Sequence, residues 1–245
     1  AAEAADALAS CREQDGLRQV VCKRLGPAPY APAIDPAHFT HSTTIDNPYH
    51  PLPPGTTFVY EGTVTEEPAG FEHVEFIVTH ATRVILGITC VEVHDKRDLN
   101  GHLVEDTRDW FAQDDDGNVW YFGENTAIVD DHGLPVDLSG SWTGGVDGAQ
   151  PGIVMEAHPA VGDFYRQEFL LGDAEDLAEV SSLTETVTVP FPPGTFTNCL
   201  KTTESAPVSP GDISPKFYVA GVGNLLTVEP NGDRSALVRT EPNME

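Results

Sequence analysis

The groups most able to do chemistry in this 245-residue chain are carboxylates set beside aromatic runs. Glu105, Asp106 and Asp109 precede Trp110-Phe111, and Glu168, Glu175 and Asp176 follow Tyr165-Arg166-Gln167. Two such groups flanking a cleft can act as general acid and base, as in glycoside cleavage. Nothing in their spacing brings any two together, and solvated surface acids are the commoner outcome in a chain of net charge −26. Segments that mix polar groups with large rings carry more information. His80, Trp110, Tyr121, Tyr165, Arg166 and Glu168 all fall in β-rich runs, which makes them the candidate ligand-binding residues. Arg166 stands out, because only 13 residues are basic. A buried guanidinium needs a carboxylate or an anionic ligand. Its structural reading is a salt bridge to Glu168 or Asp109; its functional reading is an anchor for a ligand headgroup.

Other motifs speak less clearly. His38, His41, Asp46 and His50 form the densest histidine group, with ligand types suited to zinc or copper, but a proline-flanked coil offers no scaffold for that geometry. The sequence therefore predicts no metal site there. Asp114-Asp115-Asp116-Gly117-Asn118 invites a calcium reading, and calcium is the one cofactor worth weighing. An EF-hand register starting at Asp114 puts Val119 where glycine is required and Asn125 where glutamate is required. A polar β-turn is the expectation. There is no GxSxG, no P-loop and no GxGxxG in a strand-to-helix context, so no catalytic residue is assigned.

These residues are positioned by β-structure. Asp109–Gln113 and Val119–Phe122 flank the Asp-Gly turn, a strong hairpin signal. Alternation along each strand puts Trp110 and Ala112 on one face, as it does Trp120 and Phe122, with Phe111 and Tyr121 on the other. Residues 1–37 are expected to form a helical hairpin broken at Asp15-Gly16, followed by a Pro-rich linker or strap from Gly26 to Pro36. Residues 38–245 read as one all-β domain. Within it, Gly162–Glu168 resembles Gly55–Glu61, and the runs through Cys199 and Phe217–Leu226 resemble those through Cys90 and the aromatic hairpin. That pattern predicts two repeated meanders, about residues 50–128 and 158–230, forming an antiparallel barrel or strongly curved sheet of about ten strands. The glycine-rich loop Gly140–Gly152 is either a lid over one mouth or an ordered structural loop.

Four cysteines, none in a CxxC or CxxH pattern, suggest two disulfides in an oxidising compartment. A Cys11–Cys22 staple needs the hairpin, because eleven residues of straight helix would separate the two by about 16 Å. A Cys90–Cys199 bridge would tie the repeats, worth about 4–5 kcal/mol in the chain-entropy model. The opening Ala1-Ala2-Glu3-Ala4-Ala5 looks like a mature terminus left by cleavage behind small residues. With 39 acidic and 13 basic residues, four of them lysine, the surface repels nucleic acid and anionic lipid. No apolar run is long enough to span a bilayer as a helix.

Pro193-Gly194-Thr195-Phe196, Tyr218–Leu225, Asp109–Glu124 and Gly145–Met155 resemble segments of exported bacterial proteins with lipocalin-like or lipoprotein-carrier-like antiparallel barrels. The likeness covers about residues 45–230, and Asn224 departs from it where an apolar residue is usual. It implies a secreted, periplasmic or cell-surface barrel with room for an apolar ligand. A carrier of a small, largely apolar molecule is the leading expectation. An enzyme working on a small molecule or glycan in the same cavity is the second, and a subunit assembling through its N-terminal arm the third.

Overall fold

The computed structural model describes residues 2–66 and 68–242, without the side chains of residues 2–6. Ala1, and with it the reading of the extreme terminus, lies outside the described residues. Helix α1 (Ala2–Leu25) precedes fifteen strands. They are β1 (Thr56–Val64), β2 (Gly70–Ile85), β3 (Ile88–Leu99), β4 (His102–Gln113) and β5 (Val119–Val129), then the short β6 (Pro135–Asp137) and β7 (Trp142–Thr143). They continue as β8 (Gln150–Met155), β9 (Phe164–Arg166), β10 (Glu168–Phe169), β11 (Leu177–Thr188), β12 (Thr195–Ser205), β13 (Ile213–Val219), β14 (Gly223–Val228) and β15 (Arg234–Pro242).

Every pairing is antiparallel. β1 to β5 lie side by side in chain order, as do β11 to β15, and β1 pairs with β15 to join the two runs. At the far side Phe164–Phe169 spans the remaining gap. Tyr165 opposes Ala178 on β11, and Glu168 opposes Pro151 on β8. The result is a nearly closed barrel. Tight turns set the register; Leu86 and Gly87 both hold positive φ (51° and 83°), which lets two residues reverse β2 into β3.

All-β architecture, antiparallel pairing and barrel curvature match the expectation from sequence. Two parts of it are corrected. Among the described residues the strands number fifteen rather than about ten, since residues 130–163 add short strands and Arg234–Pro242 supplies the seam with β1. The N-terminus is one helix of 24 residues, not a hairpin. A glycine inside a helix costs about 1 kcal/mol, too little to break one flanked by good helix formers. Gly16 has open space around it, and Asp15 accepts a hydrogen bond from Gln19 Nε2 at 2.8 Å one turn on.

The expected disulfides are absent; all four cysteines are free thiols. Cys11 and Cys22 are exposed along the single straight helix, which keeps them apart. Cys90 belongs to a packed layer with Phe39, Ile85, Ile88, Trp110, Ala112 and Phe122, whereas Cys199 lies in the main core with Leu200 and Val187. Five strands (β2, β1, β15, β14 and β13) intervene between β3 and β12, which carry them.

Helix α1 grips its own barrel beside the closing segment. Val21 is buried, and Arg24 pairs with Glu179 and covers the Phe164 ring at 3.8 Å. The main anchor is Arg18, whose Nε donates to both oxygens of Glu175 at 3.0 Å and whose Nη2 donates to Oε1 at 2.5 Å. Glu175 is fully buried, so losing the guanidinium strands a carboxylate in low dielectric. Arg18→Met is expected to cost about 2–3 kcal/mol, below the usual loss for a broken buried pair because Arg18 itself is partly solvated. Limited proteolysis checks this: the variant should release α1 well before the barrel is cut, and adding Glu175→Leu should restore much of the protection. Beyond α1, residues 26–35 form no regular structure; Tyr30 Oη donates to Pro151 O at 3.0 Å, and Ile34 and Phe39 pack over the outer layer.

Candidate functional site

The barrel encloses a cavity of about 540 Å³. Strand alternation supplies its lining: Phe58 and Tyr60 from β1, Glu72, Val74 and Phe76 from β2, Asp95 and Arg97 from β3, and Glu105, Thr107, Asp109 and Phe111 from β4. From the other side come Gln167 and Glu168, Asp176, Glu204, Lys216 and Tyr218, Thr227, Glu229 and Ser235. Residues 50–52, led by His50, and residues 222–224 complete it. Tyr121 and Glu124 on β5 both face inward although three positions separate them. The alternation is broken at Gly123 (φ 153°), where an added Cβ would stand 2.7 Å from the Trp142 carbonyl.

The wall has two characters. Leu52, Phe58, Val74, Phe76, Phe111 and Val154 form an apolar side, on which the Phe111 and Tyr121 rings stack at 4.8 Å. The rest is acidic: Glu72, Asp95, Glu105, Asp109, Glu124, Glu168, Asp176, Glu204 and Glu229 are nine carboxylates facing Arg97 and Lys216. Arg97 pairs with Glu72 at 2.6 Å and Lys216 with Glu204 at 2.7 Å. The other seven make no ion pair among the described residues.

Crowding changes their ionisation. Burial, then the charge of Glu105, pushes Asp95 up to about 7. Burial pushes Glu124 to about 7 even though Tyr121 hydrogen-bonds to it, and Asp176 to about 6. Asp109 and Glu168 are raised well above the carboxylate range, first by burial and then by neighbouring acids. Burial, followed by the repulsion of Lys216, lowers His50 to about 4 and keeps its ring neutral.

Proton counting at Tyr121 gives a local picture of this. Its hydroxyl lies 2.5 Å from Asp109 Oδ1 and 2.9 Å from Glu124 Oε2. One phenol carries one proton. For both contacts to be hydrogen bonds, one carboxyl must hold its own proton and donate to the phenol oxygen. A shared-proton carboxyl–phenol–carboxyl chain therefore sits in the cavity wall at neutral pH. Glu168 is fixed nearby on the same arc of strands, accepting from Trp142 Nε1 at 2.7 Å. Glu204 accepts from Thr202 at 3.1 Å and from Gln167 and Tyr218 at 3.3 Å.

Of the six ligand-binding candidates read from sequence, Tyr121 and Glu168 line the cavity. Trp110 lies in the outer layer under the Arg83 guanidinium, 4.2 Å from its ring, and His80 is exposed. Tyr165 packs with Ala178 and Val180. Arg166 sits over the Phe169 and Tyr30 rings, at 4.6 and 5.5 Å, and forms no ion pair with Glu168 or Asp109. Asp95, Glu124, Glu204 and Lys216 escaped the sequence reading. The signal for all but Glu124 is polar groups at every second position of long strands, as in Asp95-x-Arg97 and Glu105-x-Thr107-x-Asp109; the break at Gly123 takes Glu124 off that period.

The histidine group is dispersed. His50 faces the cavity against Phe111, while Asp46 Oδ1 accepts from Gln113 Nε2 at 2.7 Å. Among the described residues no group of three or more His, Cys, Asp or Glu side chains is arranged to hold a metal ion. Residues 114–118 form a five-residue loop rather than a two-residue turn. Asp114 accepts there from the Asp116 and Asn118 amides and from Trp120 Nε1, and Asp115 accepts from Thr40. Gly140–Gly152 is ordered structure, carrying β7 and the start of β8, with Trp142 buried.

No family model matches the chain, and no curated protein does. A crystal structure described as a "putative lipoprotein" from Parabacteroides distasonis resembles it at 14% identity and a TM-score of 0.43, covering 82% of this chain and all of the other. No helix among the described residues is long and apolar enough to cross a membrane.

Proposed function

We propose that this chain is an exported binding protein that holds a small molecule with a largely apolar body inside its barrel. One observation carries the reading: a 540 Å³ cavity with an aromatic and aliphatic wall facing a band of polar groups. Concave sites of a few hundred cubic ångströms that combine apolar walls with convergent polar groups are where small ligands bind; this one carries an unusual number of acids. Export is carried over from the resemblance of Pro193–Phe196 and Tyr218–Leu225 to exported bacterial barrels.

Native mass spectrometry of protein released gently from its expressing host tests the binding reading. A small-molecule adduct is expected, and Val74→Trp, which projects an indole into the cavity, should abolish it. Clean apo masses for both proteins, with no thermal shift from a small-molecule library, would remove the reading.

The Asp109–Tyr121–Glu124 chain favours a second reading, acid–base chemistry on a bound molecule. A proton shared between groups of raised pKa can be given or taken near neutral pH. Tyr121→Phe should then abolish turnover of any substrate found by screening while leaving its binding intact.

A further inference from the structure

We infer that the cavity selects a ligand bearing a primary or secondary ammonium, or a guanidinium, on its apolar body. This rests on the binding reading above and adds the charge and donor count of the ligand.

Donors and acceptors in the lining do not balance. Both cations already face an acid, Lys216 at Glu204 and Arg97 at Glu72, while Tyr218 turns to Glu204, Tyr121 to Asp109 and Glu124, and Tyr60 to the Asn224 carbonyl at 3.3 Å. Acceptors remain in excess. Asn224 Oδ1 is buried with no partner. Asp95 has no ion pair, while Asp109 and Glu168 are 5% and 7% exposed and find no cation. Buried acceptors without donors are costly, so the molecule that completes this site must bring N–H groups and positive charge. A protonated amine offers up to three donors, and Phe58, Phe76, Phe111 and Tyr121 present ring faces or edges for the body that carries it. Anionic lipids and fatty acids would meet nine acidic groups against two cations that are already paired, and are disfavoured.

Calorimetry with phenylbutylamine, phenylbutanol and phenylbutyrate near neutral pH tests this, since the three share one apolar body. The amine should bind about tenfold or more tighter than the alcohol, a difference near 1.4 kcal/mol, and the carboxylate should not bind. Repeating the amine titration in buffers of different ionisation enthalpy should reveal protons leaving the protein, because the cation takes the place of protons shared among Asp95, Asp109 and Glu124. Asp95→Asn, which relieves crowding and should fold well, is expected to shrink the amine's advantage over the alcohol. Equal or tighter binding of the alcohol or the carboxylate overturns the ammonium inference and leaves the cavity as a binding site. A trimethylammonium analogue that matches the primary amine overturns the donor part. Binding by none of the compounds overturns the ammonium inference, and the adduct search and library screen decide the binding reading separately.

Discussion

The protein is expected to become more stable as pH falls from about 8 to about 5.5, against the usual pattern in which paired carboxylates favour neutral pH. The folded pKa values of Asp95 and Glu124 are raised to about 7. Their unfolded values lie near 4. Between those limits the folded chain binds more protons than the unfolded one, so stability falls as pH rises. The contribution of each group is fully present below about pH 4 and is lost as pH climbs through about 7. Asp109 and Glu168 act in the same sense. His50 opposes them: lowered to about 4, it costs stability as pH drops below its unfolded value near 6.5. Several acids outweigh one imidazole, and the optimum should lie near pH 5–6. One pKa unit is worth about 1.4 kcal/mol; discounted for the water these groups share in the cavity, the gain should be at least about 3 kcal/mol. Denaturant melts at fixed ionic strength across this range measure it. Asp95→Asn should flatten the profile and raise stability at pH 8. A profile that instead rises toward pH 8 would mean the carboxylates are ionised and solvated in the folded state.

The barrel was legible in the sequence because its cues are local. Period-two aromatics and the turns at Leu86-Gly87 and Asp116-Gly117 each specify strands from neighbouring residues alone. Face assignment also came through: Phe111 and Tyr121 do share the inner face, and Trp110, Ala112 and Phe122 the outer layer. Which face is the inside cannot be read from alternation, because both carry large rings. That is why Trp110 and Tyr121, on opposite faces, both entered the candidate list. Glu124 was hidden by a different cause, the break at Gly123, which no periodicity announces. The short strands between residues 130 and 169 carry too few residues for any pattern and exist because β5, β8 and β11 need partners. That Cys90 and Cys199 stay apart follows from strand placement around a barrel, a long-range property.

Closure of that barrel depends on two glycines, and Gly152→Val is expected to remove the folded state or cost upward of about 3 kcal/mol, at the high end of overpacking losses. A Cβ at Gly152 would stand 2.4 Å from the Gln167 carbonyl carbon and 2.5 Å from the carbonyl oxygens of Arg166 and Gln167. Those are backbone atoms of the segment that bridges β8 and β11, so no side chain can swing away to make room. Gln167 is locked in turn, its amide donating to Asp176 O at 2.8 Å. The other seam is built the same way: a Cβ at Gly62 would lie 2.3 Å from the Arg234 carbonyl oxygen where β1 meets β15. Gly148 also sits in the chain leading to β8, with a positive φ of 90° but open space around it. It separates backbone strain from steric contact: Gly148→Ala should cost only about 1 kcal/mol, whereas Gly152→Val should open the wall. Hydrogen exchange gives the readout. In any Gly152→Val protein that still folds, amides of β8 and β9 should lose protection while those of β2 and β3 keep it. The same opening would expose Glu168 and Asp176 to bulk water, release their protons and remove their share of the low-pH stabilisation, so the seam and part of the unusual pH dependence should fail together.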